Sequence, residues 1–471
     1  MQQRWTLNIQ NFGKIRSAQV EVAPLVLFVG ENNTGKSYLV SMLWGVLAKG
    51  RTLFPKEPPA TDAYKRCEQL LHPGVTQVTP DFEAALVGWF NTLLRSRKNE
   101  LVQEVFSHSE LSIDHLSISD FRRVKPLAIQ WDEKDEADNV QWRFSSGKHY
   151  VRFPLVSGAG PSDADKYRMI QYLCWNLIMG DLSSPLFPVG AKVNRRVEGE
   201  TLYLPAARSG FMLTYKALTA ELMDAWGGQS VSSAFTLPVV RFLQGLTENR
   251  ESRSAKLLPI ANYIEHDLMG GKVESSEGAI NSYSYRPAKA NTSLPYHVAS
   301  SLVGELSPVV IFLRSNIKYK SLIIEEPEAH LHPALQRKLM RALSRVVTAG
   351  VPVWCTTHSD TIFQQVNNMI RLEGRKDSAE LMARYGYQKD DLLKADQVRA
   401  YQFTVGKDGR SEVSALERTN YGFVAPTFNQ ALLDLSEETM DIEGRCFRHT
   451  KTHSGSDGLA EVSLSGLLSA Q

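Results

Sequence analysis

The sequence predicts an α/β fold in which a mixed sheet is flanked by helices. Three largely apolar runs carry this prediction, and they cover residues 24–29, 320–324 and 351–355. Apolar runs of this length that end in polar residues are typical of buried strands. Ligands of α/β sheets bind beyond the carboxyl ends of the strands. We therefore expect the polar residues that follow these runs to form a ligand site.

The composition is that of an ordinary globular protein. The chain has 471 residues, of which 43% are hydrophobic and 22% charged, and its formal net charge is +2. This balance does not indicate a nucleic-acid or membrane partner, and no apolar run reaches the ~18 residues of a membrane span. The first residues lack the apolar core of a signal peptide. Four widely spaced cysteines form no Cys-x-x-Cys pair and indicate neither zinc nor disulfides. We expect a cytoplasmic location and no membrane partner.

The first apolar run leads into a phosphate-binding loop. Residues 5–13 and 15–22 alternate apolar and polar side chains, which predicts a hairpin before the run. A glycine-bracketed loop between a strand and a helix holds phosphates through its backbone amides and the helix N-terminus. Lys36 supplies positive charge, Ser37 a Mg²⁺ ligand, and Asn33 tolerates positive φ. The predicted nucleotide-binding residues are Gly30, Asn32, Asn33, Thr34, Gly35, Lys36 and Ser37.

The second run ends in two acids, Glu325 and Glu326, which is the Walker B arrangement. The first carboxylate would hold Mg²⁺ directly or through water, and the second would position and polarise an attacking water. Such a strand standing alone has a structural interpretation, but its combination with a phosphate loop favours nucleotide chemistry. We therefore predict Ser37 and Glu325 as metal ligands, with Glu326 and Lys36 as catalytic residues.

The order of these motifs resembles that of ABC-class ATPases. In SMC, RecF and related members, a similar hairpin precedes the phosphate loop. The third run ends in Thr356-Thr357-His358. His358 occupies the place of the switch histidine of these enzymes, which contacts the γ-phosphate and the attacking water. The resemblance implies a P-loop ATPase head with an antiparallel β subdomain and helical insertions, and a catalytic role for His358.

Further segments resemble the OLD/RecF-type bacterial ABC ATPases, many of which act in anti-phage or DNA-transaction systems. The similar segments are residues 203–210, 300–308, 325–333 and 356–359. OLD proteins also carry a Toprim nuclease domain, which needs an acid-rich metal site. No Asp-x-Asp follows His358, and we interpret the later acids as a solvated helix end, so we expect no nuclease here. These acids are Asp434, Glu437, Glu438, Asp441 and Glu443.

Ser300 and Ser301 precede a predicted helix over residues 302–314. In ABC ATPases a signature sequence at this place reaches the γ-phosphate bound by the other subunit. A serine N-cap with free amides behind it is a sound anion contact. Leu302 and Val303 replace the usual glycines, and an ordinary N-cap is the alternative. The resemblance implies that Ser300 and Ser301 bind the partner's nucleotide.

Several basic and histidine residues have two interpretations. Arg208 serves the nucleotide, a subunit interface, or a structural salt bridge. His330 and His332 form either a metal pair or part of a loop that packs across a dimer interface, as the corresponding segment does in ABC ATPases. The basic cluster 95–98 either contacts phosphate or lies at the solvated end of a helix, and we prefer the second interpretation.

The expected organisation follows the motifs. We predict mainly helical structure over residues 62–125 and antiparallel strands over 127–131 and 140–156. The predicted segments are an N-terminal ATPase lobe (1–50), a helical insertion (51–125), a β-hairpin subdomain (126–160), a helical and signature region (161–315), a C-terminal lobe with Walker B and the switch histidine (316–410), and an extension with a loosely ordered tail (411–471).

The function expected from the resemblance is that of an ATPase that binds ATP and Mg²⁺ between head-to-tail protomers. The assembly would be a homodimer or a higher homo-oligomer. Its output would be control of a separately encoded nuclease or toxin in anti-phage defence. Two alternatives stay open. One is a RecF/SMC-like DNA-binding repair ATPase, and the other is a nucleotide-gated scaffold with negligible hydrolysis.

Overall fold

The computed structural model describes most of the chain, and the described residues fall into two units, one covering Met1–Ala425 and a second that begins at Pro426. No helix among the described residues is both long and apolar enough to cross a membrane. The described residues are 1–72, 75–132, 141–146, 149–154, 163–183, 186, 201–226, 234–252, 255–278, 280–317, 319–419 and 422–442.

The described residues form the following strands and helices. The strands are β1 (Gln3–Phe12), β2 (Ile15–Glu21), β3 (Leu25–Gly30), β4 (Ile113–Arg123), β5 (Ala128–Asp132), β6 (Gln141–Ser146), β7 (His149–Pro154), β8 (Thr201–Leu204), β9 (Gly271–Ser276), β10 (Ser282–Pro287), β11 (Ser321–Glu325), β12 (Val353–Thr357), β13 (Val398–Val405), β14 (Ser411–Ala415), β15 (Arg418–Thr419) and β16 (Gly422–Phe423). The α-helices are α1 (Lys36–Lys49), α2 (Asp62–Leu70), α3 (Pro80–Phe106), α4 (Asp163–Met179), α5 (Arg208–Trp226), α6 (Leu237–Glu248), α7 (Leu258–Tyr263), α8 (Ser301–Leu313), α9 (Pro333–Thr348), α10 (Asp360–Glu373), α11 (Ser378–Tyr385) and α12 (Pro426–Ile442), and a π-helical turn covers Ile264–Met269.

A nine-stranded mixed sheet organises the first unit. Its order is β4-β1-β2-β14-β13-β3-β12-β11-β8. The strands from β13 to β8 in this order run parallel, whereas β1 pairs antiparallel with β2 and β4. All six residues of β3 are buried, as expected for a central strand covered on both faces. The predicted mixed α/β fold is confirmed.

The strand order places the three predicted motifs at one edge. β3, β12 and β11 are parallel neighbours, with β12 in the middle. Parallel neighbours end at the same edge of a sheet, so the segments that follow Gly30, Thr357 and Glu325 emerge side by side. This edge carries the candidate site.

Helices cover the sheet and share its core. Trp44 of α1 is buried in the same apolar cluster as Trp5 and Phe28 of the sheet. The cluster continues into Trp89 of α3 and Trp175 of α4. Helix α3, within the predicted insertion, and helix α4, after it, therefore pack into the core of the first unit.

The predicted helical character of residues 62–125 is wrong at its end. Helix α3 stops at Phe106, where Ser107 adopts a left-handed conformation with φ of 52°. Residues 113–123 form β4, which pairs with β1 and opposes Leu116 to Ile9. Leu116 and Ile118 are buried and lie two residues apart, which is the spacing of a strand face. The apolar spacing of a helix therefore ends at Phe106, and the spacing that follows in residues 113–123 is that of a strand.

Most other predicted elements are confirmed. β5, β6 and β7 form a separate antiparallel sheet, as predicted for residues 127–131 and 140–156. A further antiparallel pair joins β9 and β10. Residues 147–148 of the predicted strand segment lie outside the described residues, as do Glu443 and the tail 450–471. The remaining late acids lie on the exposed part of α12, in agreement with a solvated helix. The predicted segment boundaries otherwise remain predictions.

Candidate functional site

Positive φ angles shape the loop between β3 and α1. Gly30 has φ of 149°, and an added Cβ would lie 2.8 Å from the carbonyl oxygen of Phe403. Asn33 has φ of 61°, as its tolerance of this region predicted, and Gly35 has φ of 94°. The loop can therefore turn tightly against β13 and lead directly into the N-terminus of α1, whose backbone amides face outward from the first turn.

Lys36 lies beneath this loop at the first residue of α1. Its side chain is buried, and Nζ donates to the carbonyl oxygens of Gly30 at 3.0 Å and Glu31 at 2.6 Å. Burial lowers the pKa of Lys36 to about 8, against the opposing effect of Glu326 and other nearby carboxylates. A phosphate group at the loop would favour the charged ammonium.

Glu325 connects the Walker B strand to the phosphate loop. Ser37 Oγ donates to Glu325 Oε2 at 2.5 Å, and the Tyr203 hydroxyl donates to Oε1. Ser41 Oγ lies 3.0 Å from the Tyr203 hydroxyl. Burial raises the pKa of Glu325. The hydroxyl and carboxylate oxygens of Ser37 and Glu325 are the donor types that Mg²⁺ prefers, so the residues present fit this ion.

Glu326 follows in a left-handed conformation, with φ of 43°. His358 Nε2 lies 3.6 Å from Glu326 Oε1, and this contact lowers the pKa of Glu326. The Glu326 side chain is 40% exposed, so its ionised carboxylate is open to solvent. A carboxylate in this state can accept a hydrogen bond from water and polarise it.

Glu328 is a site residue that sequence analysis did not single out. Its Oε1 accepts hydrogen bonds from the His358 backbone amide at 2.6 Å and the Thr357 hydroxyl at 2.8 Å. Burial raises the pKa of Glu328. These contacts join the turn after β11 to the end of β12 and orient His358. The only sequence signal was a third acid close to the Walker B pair.

An open cleft collects most of the predicted residues. Gly30 and Glu325 are not part of its lining, but they contact the lining residues Lys36 and Ser37. Lys14 and Tyr38 are additions without a sequence signal. Ser300 and Ser301 are exposed and are not part of this lining. The lining residues are Lys14, Asn32, Asn33, Thr34, Gly35, Lys36, Ser37, Tyr38, Glu326 and His358.

Ser300 has the backbone conformation of an N-cap, but its side chain makes no capping hydrogen bond. Helix α8 begins at Ser301, and both serines are exposed. The first turn of a helix leaves backbone amides without intrahelical partners. This helix end can therefore present hydroxyl and amide donors to an anion supplied from outside the protomer.

The structure distinguishes between the interpretations of some of the other basic residues. Arg208 is fully buried and pairs with Glu305 at 3.0 Å, so it is a structural ion-pair residue that does not line the cleft. His332 caps α9 by accepting from the Ala334 amide at 3.3 Å. His330 Nδ1 lies 3.3 Å from Glu305 Oε1. Both interpretations of the His330–His332 segment, as a metal pair or as part of a dimer interface, remain predictions. In the cluster 95–98, Arg97 donates to Glu100 at the exposed surface, which supports a solvated helix segment.

Comparison with known proteins identifies the family. The sequence model described as "AAA ATPase domain" matches residues 6–151 and 244–363, which is more than half of the chain. No curated protein matches. Among solved structures, the SMC head domain from Thermotoga maritima is similar at 10% identity and a TM-score of 0.32, over 88% of this chain and 100% of that one. An SMC head bound to the C-winged helix domain of ScpA is similar at 10% identity and a TM-score of 0.34, over 88% of this chain and 97% of that one.

The family match covers more than half of the sequence, and the structure places a phosphate loop and paired acids at one sheet edge. The chain belongs to the AAA ATPase domain family as a nucleotide-binding P-loop ATPase.

Proposed function

We propose that this chain binds ATP with Mg²⁺ and hydrolyses it in the cleft between the phosphate loop, Glu326 and His358. The observation that carries the proposal is the meeting of the Glu326–His358 pair with the Ser37–Glu325 pair at one sheet edge. A site that only binds nucleotide does not require a solvent-facing carboxylate beside the phosphate loop. In a hydrolytic site such a carboxylate can orient and polarise the attacking water.

Each predicted residue has a distinct role in this proposal. The loop from Gly30 to Ser37 binds the phosphates through its amides, and the Lys36 ammonium balances their charge. Ser37 and Glu325 would hold Mg²⁺, and the ion would supply positive charge beside the phosphate oxygens. Glu326 orients the water, and His358 holds the Glu326 carboxylate while its own ring faces the cleft.

We further propose a head-to-tail homodimer. The exposed Ser300 and Ser301 at the start of α8 would contact the nucleotide held by the partner protomer. Binding of ATP would favour the closed dimer because the γ-phosphate contacts both protomers, and hydrolysis would release it. Higher assemblies of such dimers are compatible with the same contact.

The biological output is proposed from the resemblance to OLD-type ATPases. We propose that the chain works in the cytoplasm and controls a separately encoded nuclease or toxin in defence against phage. This output is separable from the ATPase site, because one fold supports many functions. A repair ATPase that binds DNA is the second candidate, and the two differ in the partner that they predict.

The hydrolysis proposal is tested with steady-state ATPase kinetics and nucleotide binding. We expect Glu326→Gln to reduce kcat by about 100-fold or more while ATP still binds, because the glutamine cannot act as a base. Lys36→Ala should abolish binding. Glu110→Gln, at an exposed acid, is the matched control and should behave as wild type. Negligible hydrolysis by the wild type, with intact ATP binding, would favour the scaffold hypothesis instead.

The output is tested by purifying tagged wild type and Glu326→Gln with and without ATP and identifying what copurifies. A nucleotide-dependent protein partner supports effector control. Recovery of DNA with no protein partner, together with DNA-stimulated and salt-sensitive hydrolysis, contradicts effector control and supports the repair ATPase.

A further inference from the structure

Arg208 is a buried cation that binds the backbone of the Walker B turn. It lies at the first residue of α5, and its side chain is 1% exposed. Nη1 donates to the carbonyl oxygen of Glu325 at 2.5 Å, and Nη2 donates to that of Glu326 at 3.1 Å. Nη1 also donates to the Pro205 carbonyl oxygen at 2.9 Å. One guanidinium therefore holds the backbone of both Walker B acids from behind the cleft.

The same guanidinium is anchored to the helix that presents Ser300 and Ser301. Arg208 Nη2 lies 3.0 Å from Glu305 Oε2, and Nε donates to the Glu305 carbonyl oxygen at 3.2 Å. Glu305 lies one turn into α8 and is fully buried. Its Oε1 accepts from the Ser209 amide at 3.1 Å and lies 3.3 Å from His330 Nδ1. Glu305 thus contacts both the residue that holds the Walker B turn and the end of that turn.

The turn requires such support because it is strained. Glu326 and His330 have φ of 43° and 57°, in the left-handed region that residues other than glycine seldom adopt. Strained residues of this kind persist only where the surrounding structure holds them in place. Glu305 of α8 supports this turn at both ends. It pairs with Arg208, which binds the start of the turn, and it contacts His330 at the end.

We propose that the Arg208–Glu305 pair is a positioning device that couples the Ser300–Ser301 end of α8 to the turn that carries Glu325 and Glu326. The proposal rests on the proposed ATPase function and adds a regulatory contact to it. When Ser300 and Ser301 engage the partner's nucleotide, a small shift of α8 moves Glu305, and the rigid guanidinium carries this shift to the carbonyl groups of the two acids. A misplacement of about 1 Å is enough to change a rate about 100-fold. Engagement of a second protomer is thereby linked to alignment of Glu326.

Arg208→Lys is the sharpest single substitution. Lysine keeps a positive charge beside Glu305, but a single ammonium group cannot reproduce the planar fork that donates to four carbonyl groups and pairs with a carboxylate. We expect kcat to fall by about 10- to 100-fold, as for other residues that orient a site residue, with KM for ATP close to that of wild type. In the nucleotide-free protein, amide hydrogen exchange of Glu326 and Ala329 should become faster. The Ala329 amide donates within the turn to the Glu326 carbonyl oxygen, and the Glu326 amide ties the start of the turn to the Thr356 carbonyl oxygen of β12.

A double variant separates positioning from simple stability. Arg208→Met alone leaves Glu305 buried without its cation and should lower Tm strongly, whereas adding Glu305→Gln removes the unpaired charge. We expect the double variant to regain most of the lost Tm while kcat and the exchange of the turn stay altered. Arg345→Met is the matched control, because Arg345 forms another buried pair, with Asp391 at 2.6 Å, outside the cleft lining. It should lower Tm without lowering kcat.

Two results overturn the inference. One is a double variant that regains kcat together with Tm, which makes the pair a stabilising contact only. The other is an Arg208→Lys protein with wild-type kcat and unchanged exchange of the turn. Both presuppose a wild type that hydrolyses ATP, so absence of hydrolysis in the wild type refutes the proposed function and is recognised separately. The exchange measurement tests the support of the turn even then.

Discussion

Replacing Lys36 by methionine removes a buried ammonium group. The free-energy cost of burying this group depends on pH. In the folded, nucleotide-free protein, burial lowers the pKa of Lys36 to about 8 from the usual 10.5. The unfolded chain therefore binds the Lys36 proton more tightly than the folded chain does. Between these two pKa values the unfolded state carries the extra proton, so the free energy of unfolding rises with pH. The stabilising contribution is complete above pH 10.5 and is lost as the pH falls through 8.

The expected magnitude follows from the difference between the two pKa values. Each pKa unit corresponds to about 1.4 kcal/mol, so the full effect is roughly 3 kcal/mol. Over pH 7 to 10, the free energy of unfolding of wild type should rise by about 2–3 kcal/mol relative to that of Lys36→Met. The hydrogen bonds that Lys36 makes to Gly30 and Glu31 are lost in the variant at every pH, so they change the offset between the two proteins more than the slope.

Urea denaturation of both proteins at pH 7, 8, 9 and 10, without nucleotide, measures this difference. Tyrosines and cysteines that titrate in this range are common to both proteins and cancel. Lys376→Met, at an exposed lysine, is the matched control and should show the pH dependence of wild type. The inference is that burial of the Lys36 ammonium destabilises the folded protein. It would be refuted if the difference in free energy of unfolding between wild type and Lys36→Met stayed constant with pH.

The remaining predictions concern the metal ligand and the loop. Tyr203→Phe removes a donor to Glu325 without changing shape, and it should raise the Mg²⁺ concentration for half-maximal activity by about 10- to 100-fold; an unchanged Mg²⁺ titration would show that Tyr203 does not orient the ligand. Gly30→Ala would place a Cβ 2.8 Å from the Phe403 carbonyl oxygen and should cost about 1–3 kcal/mol in urea denaturation. Its control is Gly88→Ala in α3, where an added Cβ meets nothing within 4 Å and alanine should stabilise by about 0.5–1 kcal/mol.

The sequence predicted correctly those structural features that depend on residues close together in the chain. The phosphate loop, the left-handed Asn33 and the apolar run of β3 follow from local conformational preference and burial. The expected location of the polar strand ends also proved correct, since parallel neighbours end at a common edge. The exception is β4, because a helical apolar spacing and a strand spacing follow each other between residues 80 and 123 without a strong break.

Only the tertiary structure decided how the site is held together. Tyr203 meets Glu325 across 122 residues of sequence, and Arg208 meets Glu305 because β8 lies beside β11 and α5 packs against α8. The sequence of Arg208 and its neighbours is equally compatible with a nucleotide contact, an interface contact or a buried pair. A local pattern specifies which segments become strands and which loop binds phosphate. The partner of a buried side chain depends instead on which strands and helices become neighbours, and that is decided by the packing of the whole core.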